Sequence, residues 1–304
     1  MSVDKLVKAI KEKGNPSVAG LDPKIEYVPE FIREKAYAEY GKNLKGVCEA
    51  IWEFNKGLID ALYDVVPAVK PQSAFYEMYG LHGEEVLHRT IKYAKEKGLY
   101  IILDVKRNDI GSTAEAYSRA YLGKAEADGE EFDACPTDCV TVNPYLGTDG
   151  IKPFADDCKK YDKAIFALVK TSNPSSGEFQ DIKIGEKHLF EIVAEKVNEW
   201  NSDTIGESGY GAVGAVVGAT YPEQAEILRR IMPQSYFLVP GYGAQGGKAE
   251  DVKKSFNADG FGAIVNSSRG IMCAYQKRGL SGECFAEAAR AEAIRMKDEL
   301  TSII

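Results

Sequence analysis

Eight short apolar, β-branched runs alternate along this chain with longer segments whose apolar residues recur at helical spacing, and no other feature restricts the fold as strongly. The runs are SVAGLD (17–22), PAVK (67–70), YIILDVK (100–106), CVTVNP (139–144), AIFALVKTS (164–172), GAVGAVVGAT (211–220), SYFLVPG (235–241) and FGAIVNSS (261–268). Between them, NLKGVCEAIWEFNKGLIDALYDV puts Leu44, Val47, Cys48, Ile51, Phe54, Leu58 and Leu62 on one helical face, because residues three and four apart are neighbours on a helix. EKHLFEIVAEKVNEW and YPEQAEILRRIM follow the same rule. Strands joined through helices run parallel. Eight such repeats in 304 residues suit closure into a (β/α)8 TIM barrel, an eight-stranded parallel α/β fold; an open doubly wound sheet is the alternative.

Proline gives an independent reading of where the strands stop. It follows the apolar runs at Asp22-Pro23, Lys70-Pro71, Asn143-Pro144, Asn173-Pro174 and Val239-Pro240. The residue before proline is pushed toward extended geometry, and proline cannot donate to a ladder, so these pairs mark carboxyl ends of strands. That is the face on which barrel enzymes place their chemistry. Residues 24 to 42 and 121 to 138 are long polar excursions, read as insertions on a single barrel domain covering 1–304.

Charge and cysteine usage narrow the function. Lys plus Arg is 38 against 46 Asp plus Glu, a net charge of −8, so no basic surface for nucleic acid or anionic lipid is expected, and a small-molecule substrate is the better expectation. The six cysteines are scattered, and Cys135 and Cys139 lack a second pair or a nearby histidine to complete a zinc site. They read as free thiols in a reducing compartment. MSVDKLVKAIKEKG lacks the apolar core of a signal peptide, and no apolar run is long enough to span a bilayer, which leads to an expectation of a cytoplasmic protein. His82, His88 and His188 fall in segments read as helical, away from strand ends, and are assigned no catalytic role.

The third run delivers Asp104, Lys106, Arg107 and Asp109 within six positions, although charge is costly to bury unless paired. Alternate strand residues share a face, so Asp104 and Lys106 point together, opposite Leu103 and Val105. The STAE segment from Ser112 to Glu115 fits a capping box, placing a helix start near Ser112 and Asp109 in the loop before it, free to face away from its own barrel. On spacing alone, a solvated ion pair and a working site are both open. Asp22, Lys70 and Ser172 end other strands, and ionisable groups converging on one mouth favour a site.

After the seventh run comes PGYGAQGG (240–247), and after the eighth NSSRG (266–270). Barrels often bind phosphate with these two loops, where glycine lets backbone N–H groups approach an anion and an arginine such as Arg269 can hold it bidentately. Gln245 lies in the first of these loops and, with its flanking glycines as hinges, is a candidate to reach over that phosphate; on the residues alone, a polar loop side chain without a partner is the stronger reading.

Taken together, LDVKRNDIGST, GLDP, VKPQSAFYE, TVNPYLGTDG, KTSNPSS, VPGYGAQGG and NSSRG resemble, in order, the blocks of the orotidine 5′-phosphate decarboxylase family, in its longer bacterial branch, over roughly residues 17 to 271. The resemblance implies loss of CO2 from orotidine 5′-monophosphate to give uridine 5′-monophosphate in pyrimidine synthesis, with no metal or organic cofactor. It also implies the site. Lys70, Asp104, Lys106 and Asp109 would form an alternating charged network, with Lys106 the proton donor to C6. Asp22 and Lys70 would hold the ribose, Ser172 and Pro240 would border the pyrimidine, and Gln245 and Arg269 would hold the phosphate. Asp109, Ile110 and Thr113 would enter the partner subunit's site, making a homodimer with shared active sites.

Elementary chemistry agrees with those implied roles. Losing CO2 from an sp2 carbon leaves a carbanion without an electron sink, so charge stabilisation must come from the protein. A lysine ammonium at that carbon supplies it and can then give up a proton. Asp104 near the departing carboxylate adds repulsion of roughly 4 kcal/mol for like charges about 4 Å apart at an effective dielectric of about 20. Related sugar-phosphate barrels share the Asp-x-Lys-x-x-Asp strand but use Mg2+; Lys70 and the wording of the two anion loops favour the nucleotide reaction. A non-catalytic nucleotide-binding barrel is the third possibility, opposed by the intact Lys106 and both aspartates.

Overall fold

The computed structural model describes residues 1–243 and 249–304. All eight runs form strands: β1 (Ser17–Leu21), β2 (Ala68–Pro71), β3 (Tyr100–Arg107), β4 (Cys139–Val142), β5 (Ala164–Lys170), β6 (Gly211–Val217), β7 (Ser235–Val239) and β8 (Ala263–Ser267). Each pairs in parallel with its neighbours in sequence, and β8 returns to β1 with Ser17 opposite Val265, so the sheet closes into a barrel and the open-sheet alternative falls. Pro144 and Pro174 open short 3-10 turns just beyond their strands.

The two faces of the strands build two cores. Val18, Ala68, Ile102, Cys139, Phe166, Tyr236, Leu238 and Ile264 point inward and join Val3, Leu6, Val7 and Ile10 of the N-terminal helix Ser2–Lys13 in one apolar cluster. That helix presents residues at i, i+3, i+4 and i+7 and stoppers the amino end of the barrel. The intervening residues, among them Ala19, Val69, Leu103, Val140, Ile165 and Val265, pack outward with the helices. One step further along the inward rows, Ala68 gives way to Lys70, Ile102 to Asp104, Cys139 to Thr141 and Ile264 to Asn266. The barrel is largely apolar at one end and polar at the other.

Pairing between β3 and β4 is interrupted. Leu103 lies opposite Val140 and Arg107 opposite Val142, so Asp104, Val105 and Lys106 together face Thr141 alone. Lys106 has φ +48, a left-handed conformation rare in residues with a side chain, and the extra residues are accommodated as a bulge.

Three sequence expectations are refined. The helix after β3 spans Gly111–Tyr121 with Ile110 at its N-cap and no side-chain cap. Gly111 makes the entry turn at φ +52, open to glycine for want of a Cβ, so Ser112 lies inside the first turn and the expected capping box does not form. The excursion at 24–42 contains the helix Glu30–Tyr40, and that at 121–138 an exposed hairpin of Ala125–Ala127 with Glu130–Phe132. A further hairpin, Lys183–Ile184 with Lys187–His188, has strands too short to show a period. His188 therefore ends a strand and stands at the N-cap of the helix Leu189–Asn201, bonded to Glu191. Among the described residues no helix is long and apolar enough to cross a membrane.

Candidate active site

Asp104 is the hub of the polar end. Its Oδ2 accepts from Lys70 Nζ at 3.0 Å and Gln72 Nε2 at 2.9 Å; its Oδ1 accepts from Lys106 Nζ at 2.6 Å and Thr141 Oγ1 at 2.7 Å. Burial alone would raise this carboxyl's pKa, but the ammonium groups of Lys70 and Lys106 outweigh it and hold the group well below the usual carboxylate range. Burial likewise works against charge on Lys70, whereas Asp104 and then Asp22 raise its pKa above the ordinary lysine value. Asp22 Oδ1 lies 3.8 Å from Lys70 Nζ. Two carboxylates thus face two ammonium groups, the arrangement in which buried charge is tolerated.

These groups line a cavity of about 660 Å³ at the carboxyl mouth of the barrel, together with Ser172, Pro240 and Arg269. Seven of the residues expected at the site, Asp22, Lys70, Asp104, Lys106, Ser172, Pro240 and Arg269, therefore meet in one place, although they come from six different strand ends. Phe75, Leu168, Val216 and Leu238 contribute apolar wall. The Lys106 side chain is 45% exposed against 9% for Asp104, so the lysine has the open side of the pair and can reach a bound molecule.

Beside Arg269, Gly20 is required by packing. A Cβ there would come within 2.0 Å of Ser268 Oγ, so glycine in β1 leaves room for the β8 loop that carries Arg269 into the cavity. Gln245 and the flanking Gly246 and Gly247 lie outside the described residues.

Asp109, Ile110 and Thr113 do not line this cavity. Asp109 is turned into its own loop: its Oδ1 accepts from the Ile110 N–H at 2.7 Å, and its N–H donates to Asn108 Oδ1 at 2.8 Å. Ile110 is 56% exposed.

Two contributors escaped sequence reasoning. Gln72 and Thr141 each bond Asp104 directly. The signal was present in strand parity, since Gln72 follows Lys70 by two residues and Thr141 follows the inward Cys139 by two. An amide and a hydroxyl carry no formal charge, however, and drew no attention. Chemically, the assembled site offers a fixed anion, an ammonium with access to the cavity, and an arginine in the same lining.

Comparison with known proteins matches residues 48–279 to the family described as Orotidine 5'-phosphate decarboxylase / HUMPS family. A protein of Caldicellulosiruptor bescii named orotidine 5'-phosphate decarboxylase is 48% identical over 90% of this chain and 90% of its own. One of the same name from Clostridium tetani is 41% identical over 100% of this chain and 99% of its own. The solved structure of Leishmania donovani OMP decarboxylase superimposes with a TM-score of 0.72 at 29% identity, covering 98% of each chain.

Proposed function

The chain belongs to the orotidine 5′-phosphate decarboxylase / HUMPS family and is a carboxy-lyase, and from that premise we propose that it converts orotidine 5′-monophosphate to uridine 5′-monophosphate and CO2 with Lys106 as the proton donor. The observation that carries this reading is the Lys106 ammonium, 2.6 Å from a carboxylate that Lys70 holds from its other side. Each step balances without a cofactor. The bond from C6 to the carboxylate carbon breaks, CO2 leaves, and the electron pair stays on C6. Lys106 then gives its proton to C6, and solvent reprotonates the amine. An ammonium beside the developing carbanion stabilises it more than the substrate, which is what raises the rate of the chemical step. Asp104 orients Lys106 and crowds the departing carboxylate.

Asp22 and Lys70 hold the ribose, Ser172 and Pro240 border the pyrimidine, and Arg269 with Gln245 takes the phosphate, whose distant contacts help orient the ring. Asp109, Ile110 and Thr113 serve the partner subunit of a homodimer with shared sites. The reading extends to residues 1–304 as one barrel domain bearing two insertions, working in the cytoplasm in de novo pyrimidine synthesis. The test is loss of the orotidine 5′-monophosphate absorbance on adding purified protein in EDTA. Turnover is expected; activity that vanishes in EDTA and returns with Mg2+ would replace this reading with metal-dependent sugar-phosphate chemistry.

A further inference from the structure

We propose that Thr141 is a positioning residue for Lys106, its hydroxyl locking the bulged backbone that aims the ammonium into the cavity. This rests on the reading of Lys106 as proton donor. The bulge sets three residues of β3 against Thr141 alone, and a backbone N–H in such an interruption loses its ladder partner and must find another. The N–H of Lys106 finds the Thr141 hydroxyl, donating to Oγ1 at 2.9 Å.

The same hydroxyl donates to Asp104 Oδ1 at 2.7 Å, the oxygen that receives Lys106 Nζ at 2.6 Å. A closed ring results: Lys106 backbone, Thr141 hydroxyl, Asp104 carboxylate, Lys106 side chain. Its proton directions follow from the groups themselves, since an amide N–H can only donate and an ionised carboxylate can only accept, which leaves the hydroxyl to do one of each. The residue so held carries φ +48, a backbone that persists only where its surroundings over-determine it. Thr141 is 1% exposed, and its β-branch restricts χ1 so that the oxygen stays on the ring. Without the oxygen, the Lys106 N–H is stranded beside the site and its backbone is free to relax out of the left-handed region.

The experiment compares wild type, Thr141→Val, Thr141→Ser and Lys106→Ala in steady-state decarboxylation of orotidine 5′-monophosphate and in calorimetric binding of uridine 5′-monophosphate. Valine keeps the shape and loses the oxygen; serine keeps the oxygen. Thr141→Val is expected to lower kcat about 100-fold, the scale of a small misplacement of a reacting group, with KM and product affinity nearly unchanged, and Thr141→Ser to restore most of the loss. Thr141→Ala carries the same comparison if the valine variant does not fold. A wild-type kcat in Thr141→Val, or loss of product affinity in parallel with kcat, would overturn the positioning role while leaving the functional reading intact. Wild-type protein without turnover, or Lys106→Ala with full turnover, would instead remove the functional reading and the positioning role with it.

Discussion

Lys70 ends β2 and Lys170 ends β5, and both are buried, at 4% and 0% exposure. Lys70 stands on the inward row of its strand and shares the Asp104 carboxylate with Lys106 and Gln72 inside the cavity. Lys170 is absent from that lining. Its ammonium lies 2.7 Å from Asp181 Oδ1, 3.3 Å from Ser176 Oγ and 4.7 Å from the centre of the Tyr221 ring, so it straps down the loop that brings Ser172 and Asn173 to the mouth. Gln180 reinforces the strap by bonding both the N–H and the hydroxyl of Thr171. Burial of a charge at a barrel strand end is therefore not itself the mark of a site. What separates the two lysines is the partner: Asp104 is closed off at 9% exposure and shared between cations, whereas Asp181 is 37% open to water.

The comparison breaks most visibly at Lys106, the proposed proton donor. Lys106→Ala is expected to lower decarboxylation by about 10⁴-fold or more, the combined scale of losing a general acid and its charge stabilisation, while uridine 5′-monophosphate still binds in calorimetry. Near-normal turnover would show that the cavity-facing network is as structural as the Lys170 strap. A second test asks whether one chain completes the cavity side. Asp109→Ala and Lys106→Ala, each expected to be inactive, are mixed and allowed to exchange subunits. In the proposed twofold dimer, random pairing makes half the dimers mixed with one complete site each, so activity is expected to recover to about one quarter of wild type. No recovery despite exchange, followed by mass spectrometry of labelled chains, would place Asp109 in its own subunit's site.

Removing each lysine in turn sharpens the contrast in stability. Lys70→Ala leaves Asp104 buried with half its cationic support and is expected to cost about 3–5 kcal/mol in urea unfolding. Lys170→Met leaves a carboxylate that water can reach, at a cost of about 1–2 kcal/mol, with KM rising more than kcat falls because the loop loosens. Equal costs would mean that Asp181 depends on its lysine as heavily as Asp104 does.

The smallest effect is in pH. Asp104 has a lowered pKa, so its contribution to stability is present above the ordinary carboxylate value of about 3.9 and is lost as pH falls through the lowered value. Lys70 has a raised pKa, so its contribution is complete below the ordinary lysine value of about 10.4 and is lost only as pH rises through the raised one. The stability gap between wild type and Asp104→Asn should therefore stay flat from about pH 5 to 9 and narrow in strong acid. Chemical denaturation across that range checks it, and a slope near neutral pH would contradict the assigned charges.

Much of this was legible in the chain. The eight runs became the eight barrel strands, and the five followed by proline end near it, because both strand parity and the proline constraint act over a few neighbouring residues. The pairing of Asp104 with Lys106 was legible for the same reason. The helix start at Gly111 was displaced from Ser112 because a glycine turn competed with the capping box, a contest that local pattern alone does not settle. Gln72 and Thr141 were missed because neutral side chains gain their importance from the buried charge beside them, and that neighbour is 32 residues away for one and 37 for the other.

Read alone, the amino-acid order determined the strand–helix alternation, the polar carboxyl ends and the charged types delivered there, since each depends on periodicity or on residue chemistry. Only the closed barrel decided which of those charges meet. Lys70 and Lys170 look alike in AVKP and LVKTS, and nothing local distinguishes them. Closure turns Lys70 toward Asp104 and Lys170 toward Asp181 and the helical shell, and the β3–β4 register shift that stations Thr141 under Lys106 exists only once the two strands pair. The physical reason is that electrostatic and hydrogen-bond partnerships act through space over a few ångströms, and which residues come that close is set by the packing of strands far apart in the chain.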